Sequence, residues 1–354
     1  MMLMHCHELC KPVSMMIGVN LALAFVNILL KKVLNEGVDY MSVLTYRQVV
    51  SFIFMAPLAC FYERKQKLEA PIICLLFLSA LIGVTMSQCL FLLGLGYTSA
   101  TFACAFLNMV PVFTFIMALP FGIEKVNIRS KGGKAKVLGT FVSIGGALLL
   151  VLYKGIPLTN PQSHQHLENK VTSAPATATL EKRIIGSILL IAGCILWSSW
   201  FIIQAKISKK YPCKYSSTAI LSLFAAIQSA LLNLIMNRNI ASWIIKGKIE
   251  ILTVIYAGLV GSGLCYVAMS WCVKQRGPVF TAAFTPLLQI YVAVFDFCIL
   301  KEEIYMGSVA GSVLVIGGMY VLLWGKSKEG EQYIMKDTQA NEQDVECQEQ
   351  CPKS

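Results

Sequence analysis

Apolar residues in this chain fall into long runs separated by short polar segments rich in Lys and Arg. Ten runs qualify as membrane-spanning helices, at roughly 13–30, 41–61, 72–93, 99–121, 137–153, 184–204, 216–236, 251–271, 279–300 and 307–324. About 20 apolar residues cross a ~30 Å hydrocarbon core. Several runs contain Pro or Gly, which helices in lipid tolerate better than helices in water. The first run begins at Pro12, has no small-residue cleavage site after it, and reads as a retained signal-anchor.

The runs repeat. Sliding the chain by 178 places Gly83 on Gly261, Phe102 on Phe280, Ala105 on Ala283, Phe106 on Phe284 and Glu124 on Glu302, with no gap between them. The fifth run of each half agrees at an offset of 172, where Gly139, Gly145 and Gly146 meet Gly311, Gly317 and Gly318. Small residues at such spacing let helices approach closely. Five runs precede a polar segment and five follow it, and an odd-numbered unit repeated in a membrane enters the second time upside down. The expected fold is an all-α membrane protein of ten transmembrane helices, built as two inverted five-helix repeats. Its parts are a cytosolic N-terminus at 1–12, a first repeat at 13–153, a flexible polar linker at 154–183, a second repeat at 184–324 and a disordered cytosolic tail at 325–354.

Composition agrees with this class. The chain is 56% hydrophobic and 14% charged, against about 25% charged in globular domains, and its mean hydropathy is +0.66. Its apolar surface must therefore face lipid. The net charge of +11 does not point to nucleic acid, because the basic residues lie in short loops and not on a folded face interleaved with aromatics. With the N-terminus inside, the cytosolic segments hold 17 Lys and Arg against 10 on the other side, so both termini are expected in the cytosol. Most of the 13 cysteines lie singly within apolar runs and act as small hydrophobes. Cys6 and Cys10 are candidates for palmitoylation. His164 and His166 lack a third ligand, so neither a metal nor a cofactor is expected.

Catalytic signatures are missing. The chain has no HExxH, no Gly-x-Ser-x-Gly elbow and no phosphate-binding glycine loop, and no run contains a His. An enzyme is not expected, and no residue is assigned as catalytic. What stands out is polarity at membrane depth, where it is costly and functional by default. Arg47 lies well inside the second run, either snorkelling to the near surface or holding a substrate carboxylate with two hydrogen bonds. Asp296, near the end of the ninth run, is expected on the same side and is a candidate partner for Arg47. Glu124 and Glu302 close the two repeat copies on opposite faces, either as ordinary helix ends or, with Asp296, as gate or coupling acids.

Deeper lie Asn20, Asn27, Gln88, Asn108, Gln204, Gln228 and Gln289; the 178 offset pairs Gln88 with Tyr266, Asn108 with Pro286 and Pro111 with Gln289. Such amides either bond helix to helix or line a binding site at the repeat interface. The two prolines free backbone carbonyls as further acceptors. Trp197, Trp200 and Tyr266 are suited to stacking on a planar substrate, and Trp243 and Trp324 to anchoring at the interface. The expected substrate contacts are Arg47, Gln88, Asn108, Trp197, Tyr266 and Gln289.

Three blocks, TYRQ…APLACFYER, YTSATFACAFLNMVPVFTFIMAL…EK and VLYKG after the fifth run, resemble the EamA-type drug/metabolite transporters. Within them the closest resemblance is to the plant nodulin-like, walls-are-thin-related subfamily. It covers roughly residues 14–324. The resemblance implies a carrier of amino acids or auxin in the plasma or vacuolar membrane. Its partners would be a small-molecule substrate and the lipid bilayer, with no nucleic acid; proton coupling and a homodimer stay open. Leu300-Lys301-Glu302 departs from the Leu-Gly-Glu usual in the second repeat, and Asp296 stands where a small polar residue is common. Both changes add charge on the non-cytosolic side. The alternatives are a nucleotide-sugar or phosphometabolite exchanger of the same superfamily, which would want several basic residues in its cavity, and a non-transporting receptor or scaffold, which would need no repeat.

Overall fold

A computed structural model describes residues 2–63, 68–97, 106–123, 130–152, 176–236 and 247–295, most of 310–328, and 243 and 245. Among these residues every regular element is helical. The first half comprises α1 (Met2–Asn35), α2 (Tyr40–Tyr62), α3 (Ala70–Ala80), a π-helical segment (Leu81–Met86), α4 (Ser87–Tyr97), α5 (Val110–Ala118) and α6 (Lys131–Leu152). The second comprises α7 (Ala176–Lys210), α8 (Lys214–Met236), α9 (Lys248–Tyr256), a second π-helical segment (Ala257–Leu264), α10 (Cys265–Arg276), α11 (Pro278–Ala282), α12 (Thr285–Phe295) and α13 (316–328). Six of the described helical stretches are long and apolar enough to cross a membrane: Cys10–Leu34, Tyr40–Tyr62, Ala70–Leu95, Ile184–Lys210, Lys214–Met236 and Lys248–Arg276.

Two boundaries differ from the hydrophobic pattern. Helix α1 runs through Pro12 without ending, and α7 reaches back to Ala176, into the expected linker. Residues 176–183 (ATATLEKR) are rich in Ala, Leu, Glu, Lys and Arg, strong helix formers that need no apolar period to extend a helix already nucleated.

The repeat is visible in three dimensions. Each half has a π-helical segment at the same place, Leu81–Met86 and Ala257–Leu264, around Gly83 and Gly261. Each half also breaks just before a proline, at 108–109 ahead of Pro111 and at 283–284 ahead of Pro286. Met109 N–H donates to the Phe106 carbonyl (2.9 Å), and Leu287 N–H to the Phe284 carbonyl (3.0 Å), equivalent residues under the 178 offset. Contacts between the halves mirror one another: α4 packs on α7 as α10 packs on α1, and α5 on α7 as α12 on α1.

Two seams join equivalent helices directly, and in both the partners run antiparallel. Along the α2–α8 seam Asn233 donates to Ser42 Oγ (2.9 Å), Thr45 to Ser229 Oγ (3.1 Å), and Ser51 shares a hydrogen bond with Ser222 (2.9 Å). The Glu63 carboxylate closes this seam, accepting from the backbone N–H groups of Tyr215 and Ser216. Along the α6–α13 seam Gly139 lies against the Gly318 carbonyl, and Gly325 against Gly132. Sequence numbers rise on one helix as they fall on the other.

Polarity is turned inward. Ser42, Gln48, Ser51, Ser79, Ser198, Ser222 and Asn233 are fully buried, while Ile53, Phe61, Phe141, Ile188 and Ile235 are exposed. Lipid tails are as apolar as Leu, so helices associate through close packing and interhelical hydrogen bonds, worth roughly 0.6 kcal/mol each. Of the glycines expected to pack α6 on α13, Gly139 and Gly318 make the contact, whereas Gly145 and Gly317 face open space.

A Cβ at Gly318 would meet the Gly139 carbonyl at 2.7 Å. Gly318→Leu should therefore destabilise the protein by about 1–3 kcal/mol, the usual cost of overpacking, and Gly317→Leu should leave it unchanged. Thermal unfolding of the two variants in detergent checks this; equal loss in both would show that the seam is not packed in this way.

Candidate functional site

Helix α2 starts at Tyr40, its cap set by Asp39, whose carboxylate accepts from Ser42 N–H (2.9 Å) and Ser42 Oγ (3.0 Å). Tyr40 and Arg47 are seven residues apart and so share a face of that helix. Both donate to one atom, Gln88 Oε1, at 3.0 Å from the Tyr40 hydroxyl and 3.1 Å from the Arg47 guanidinium. On the opposite side Tyr266 is close enough for its hydroxyl to interact with the guanidinium. Gln88 follows the first π-helical segment and Tyr266 follows the second, so the equivalent residues of the two repeats converge on one arginine.

Close approach makes this convergence possible. A Cβ at Gly258, in the second π-helical segment, would lie 2.8 Å from the Arg47 carbonyl. A Cβ at Gly83, in the first, would overlap the Trp200 indole. Trp200 is 1% exposed. It stacks on Trp197 (centroids 5.4 Å apart, 10° between planes) and lies 5.4 Å from the Tyr266 ring. Trp197 is 6.3 Å from Tyr266. The three rings form an aromatic wall beside the guanidinium.

The site is under-satisfied. Arg47 Nε, Trp200 Nε1 and Asn108 Oδ1 are buried without hydrogen-bond partners, as are both polar atoms of Gln48. No carboxylate among the described residues pairs with Arg47. A cation held at membrane depth by neutral acceptors alone is expensive, and this arrangement leaves it able to take an anion.

Asn108 and Gln289 form a second polar node, Asn108 Nδ2 donating to Gln289 Oε1. Asn108 sits at the break before α5 and Gln289 on α12. No hydrogen bond joins this node to Arg47; the turn of α7 that carries Trp197 lies beside it. Cys194 and Ser198, on either side of Trp197, donate to the carbonyls of Phe106 and Val110 at 3.2 and 3.1 Å. The carbonyl that the missing N–H of Pro111 frees is that of Leu107; its neighbours at Phe106 and Val110 serve α7.

Of the expected contacts, the structure brings Arg47, Gln88, Trp197 and Tyr266 together and places Asn108 and Gln289 in an adjoining pair. Other amides bond helix to helix or locally: Gln228 accepts from Thr85 (3.1 Å), Gln204 donates to Ser270 (2.7 Å), and Asn20 donates to Met16 within α1 (2.7 Å). Asn27 is exposed. Trp243 packs edge-to-face on Tyr46, and Trp324 is 43% exposed. Glu124, Asp296 and Glu302, and with Asp296 its pairing to Arg47, lie outside the described residues. Tyr40 and Gln48 were not anticipated. The seven-residue spacing of Tyr40 to Arg47 was a readable signal for the first, and an amide beside Arg47 at membrane depth for the second. Among the described residues no three His, Cys, Asp or Glu side chains group as metal ligands.

Comparison with known proteins decides the family. The EamA-like transporter family model matches residues 11–152 and again residues 184–324. The chain belongs to the EamA-like transporter family. It is therefore a multi-pass membrane transporter containing the EamA domain twice. The WAT1-related protein At3g30340 of Arabidopsis thaliana is 50% identical over 331 residues, covering 93% of this chain and 91% of that protein. WAT1-related protein At4g01440 of the same plant is 49% identical over 91% of this chain and 88% of its own length. A crystal structure with 14% sequence identity superposes with a TM-score of 0.61, covering 88% of this chain and 98% of that one. At that identity it shows the fold alone.

Because Gln88 Oε1 is the shared acceptor, Gln88→Met should strand two buried donors, at about 1–3 kcal/mol. Removing the charge as well, in Arg47→Met with Gln88→Met, should recover part of that loss. Detergent melting temperatures of the two singles and the double give the coupling; additive losses would mean that Arg47 does not depend on Gln88.

Proposed function

We propose that this EamA protein carries small organic carboxylates, amino acids or auxin-like indole acids, across the plasma or vacuolar membrane. The proposed architecture is ten spans in two inverted five-helix repeats, with both termini cytosolic. The antiparallel run of equivalent helices at both seams supports inversion, because a repeat related by an axis along the membrane normal would leave them parallel.

The observation that carries the reading is Arg47, a guanidinium inside a membrane helix that donates to Gln88 and keeps one buried N–H unpartnered. Arg offers a planar fork that a carboxylate accepts with two hydrogen bonds. Gln88 holds that fork in place. An entering carboxylate takes over the donors, and the aromatic wall of Trp197, Trp200 and Tyr266 stacks against a planar substrate body. Asn108 and Gln289 supply amide groups for the substrate's polar end, and Glu124, Asp296 and Glu302 serve as gate or coupling acids. Rocking of one repeat against the other about the α2–α8 and α6–α13 seams opens the site to each face in turn. An exchanger of phosphorylated metabolites fits less well, since Arg47 stands alone among uncharged groups.

Proteoliposomes loaded with labelled amino acids and indole-3-acetate test this. At least one acid should leave faster than from protein-free liposomes. Arg47→Ala should slow it at least about ten-fold, the scale of losing one member of a buried charge pair. Flux unchanged in Arg47→Ala would remove Arg47 from the site, and no flux of any acid would end the carboxylate reading.

A further inference from the structure

The polar residues of α7 and α10 form a ladder between Arg47's surroundings and one surface of the protein. The helices run parallel and meet in steps of four. Trp200 contacts Tyr266, Gln204 donates to Ser270 at 2.7 Å, and Ser208 lies with Lys274 on the wall of one cavity. Lys274 is eight residues beyond Tyr266, about 12 Å along the helix.

At its outer end the ladder opens into two adjoining cavities of about 180 and 290 Å³ that share Ser208 and Lys274. The larger is close to the roughly 300 Å³ at which ligand cavities begin. Among the described residues their walls carry five cations, Lys209, Lys214, Lys274, Arg276 and Lys326, and no carboxylate. The Glu63 carboxylate is committed to the backbone N–H groups of Tyr215 and Ser216. Tyr211 also lines the smaller cavity. A concave surface of one sign concentrates anions. The five cations lie on the face that the Lys and Arg count assigns to the cytosol.

We propose that this cleft is a second anion site, which captures the substrate carboxylate at the cytosolic face and passes it along the α7–α10 seam to Arg47. The proposal rests on the carboxylate-carrier reading and adds to it a loading site, with Lys274 and Lys209 as the capturing residues. Capture explains why the cations face a cavity continuous with a polar seam, where orientation in the membrane alone would need them only in loops.

Oriented liposomes holding the full chain, with labelled indole-3-acetate as the acid and labelled indole-3-acetamide as its neutral counterpart, separate the possibilities. Lys274→Gln with Lys209→Gln should raise the half-saturating concentration of the acid about ten-fold from the cleft face, the worth of one charge-assisted hydrogen bond. It should leave the opposite face and the amide within about two-fold, and Lys274→Arg with Lys209→Arg should restore the wild-type value. An equal change from both faces, or none, overturns the proposal. So does an effect seen only in liposomes containing anionic lipid, which would make the cleft a headgroup site. Should the wild type move no acid at all, the carrier reading fails by itself. Equilibrium dialysis of labelled indole-3-acetate against the detergent-solubilised protein then decides the cleft. Binding kept in Arg47→Ala and lost in Lys274→Gln with Lys209→Gln supports it; binding absent from the wild type, or retained in that double variant, overturns it.

Discussion

A guanidinium two turns into a helix that lies in lipid has to find its partners inside the protein, and much of this structure is arranged around that need. Gln88 Oε1 receives both Arg47 and Tyr40, and Tyr266 faces the cation from the second repeat. Those two partners reach it because each follows a π-helical segment, where one extra residue per turn re-aims the side chains beyond. The segments in turn depend on glycines that admit a neighbour: Gly258 lets the α2 backbone in beside Arg47, and Gly83 makes room for Trp200. Packing of small residues thus sets the geometry of the charge, and the charge sets what the site can bind.

The seams between equivalent helices have a different character. Hydrogen bonds between membrane helices are individually weak, and the α2–α8 seam is a row of small hydroxyl and amide contacts with the Tyr62–Tyr215 ring pair at one end. The α6–α13 seam is backbone against backbone at glycines. Surfaces of this kind hold two halves in register while opposing little rotation about the line of contact. That property suits the rocking proposed for the two halves, while Trp197, Trp200, Phe201 and Tyr266 pack as one stiff aromatic cluster.

Much of this was legible in the residues. The offset of 178 that pairs Gly83 with Gly261 and Gln88 with Tyr266 reappears as matching π-helical segments and as convergence on Arg47. Pro111 was expected to free carbonyls on the preceding turn, and the one released by its missing N–H is that of Leu107. The break is there, but Cys194 and Ser198 occupy the Phe106 and Val110 carbonyls, since a neighbouring helix with small polar side chains is the nearest donor in a medium without water. Gln204 and Gln228 turned out to tie helices together, and nothing in their own segments distinguishes them from Gln88. Tyr40 escaped notice because a tyrosine at the start of a span ordinarily reads as an interface anchor.

Hydrophobic run length, basic loops and the internal repeat were enough to determine a helical membrane protein with a duplicated unit, because lipid punishes every unsatisfied backbone group and leaves a sequence few other ways to fold. The family blocks pointed to the same transporter group that the relatives confirm. Which amide meets the arginine, which glycines carry a seam and which cations share a cleft were decided only by the tertiary structure. Such meetings join residues far apart in the chain, 41 residues for Arg47 with Gln88 and 191 for Ser42 with Asn233. They depend on the rotation of each helix about its own axis. Hydropathy along a span is nearly blind to that rotation, and only the packing of one helix on the next fixes it.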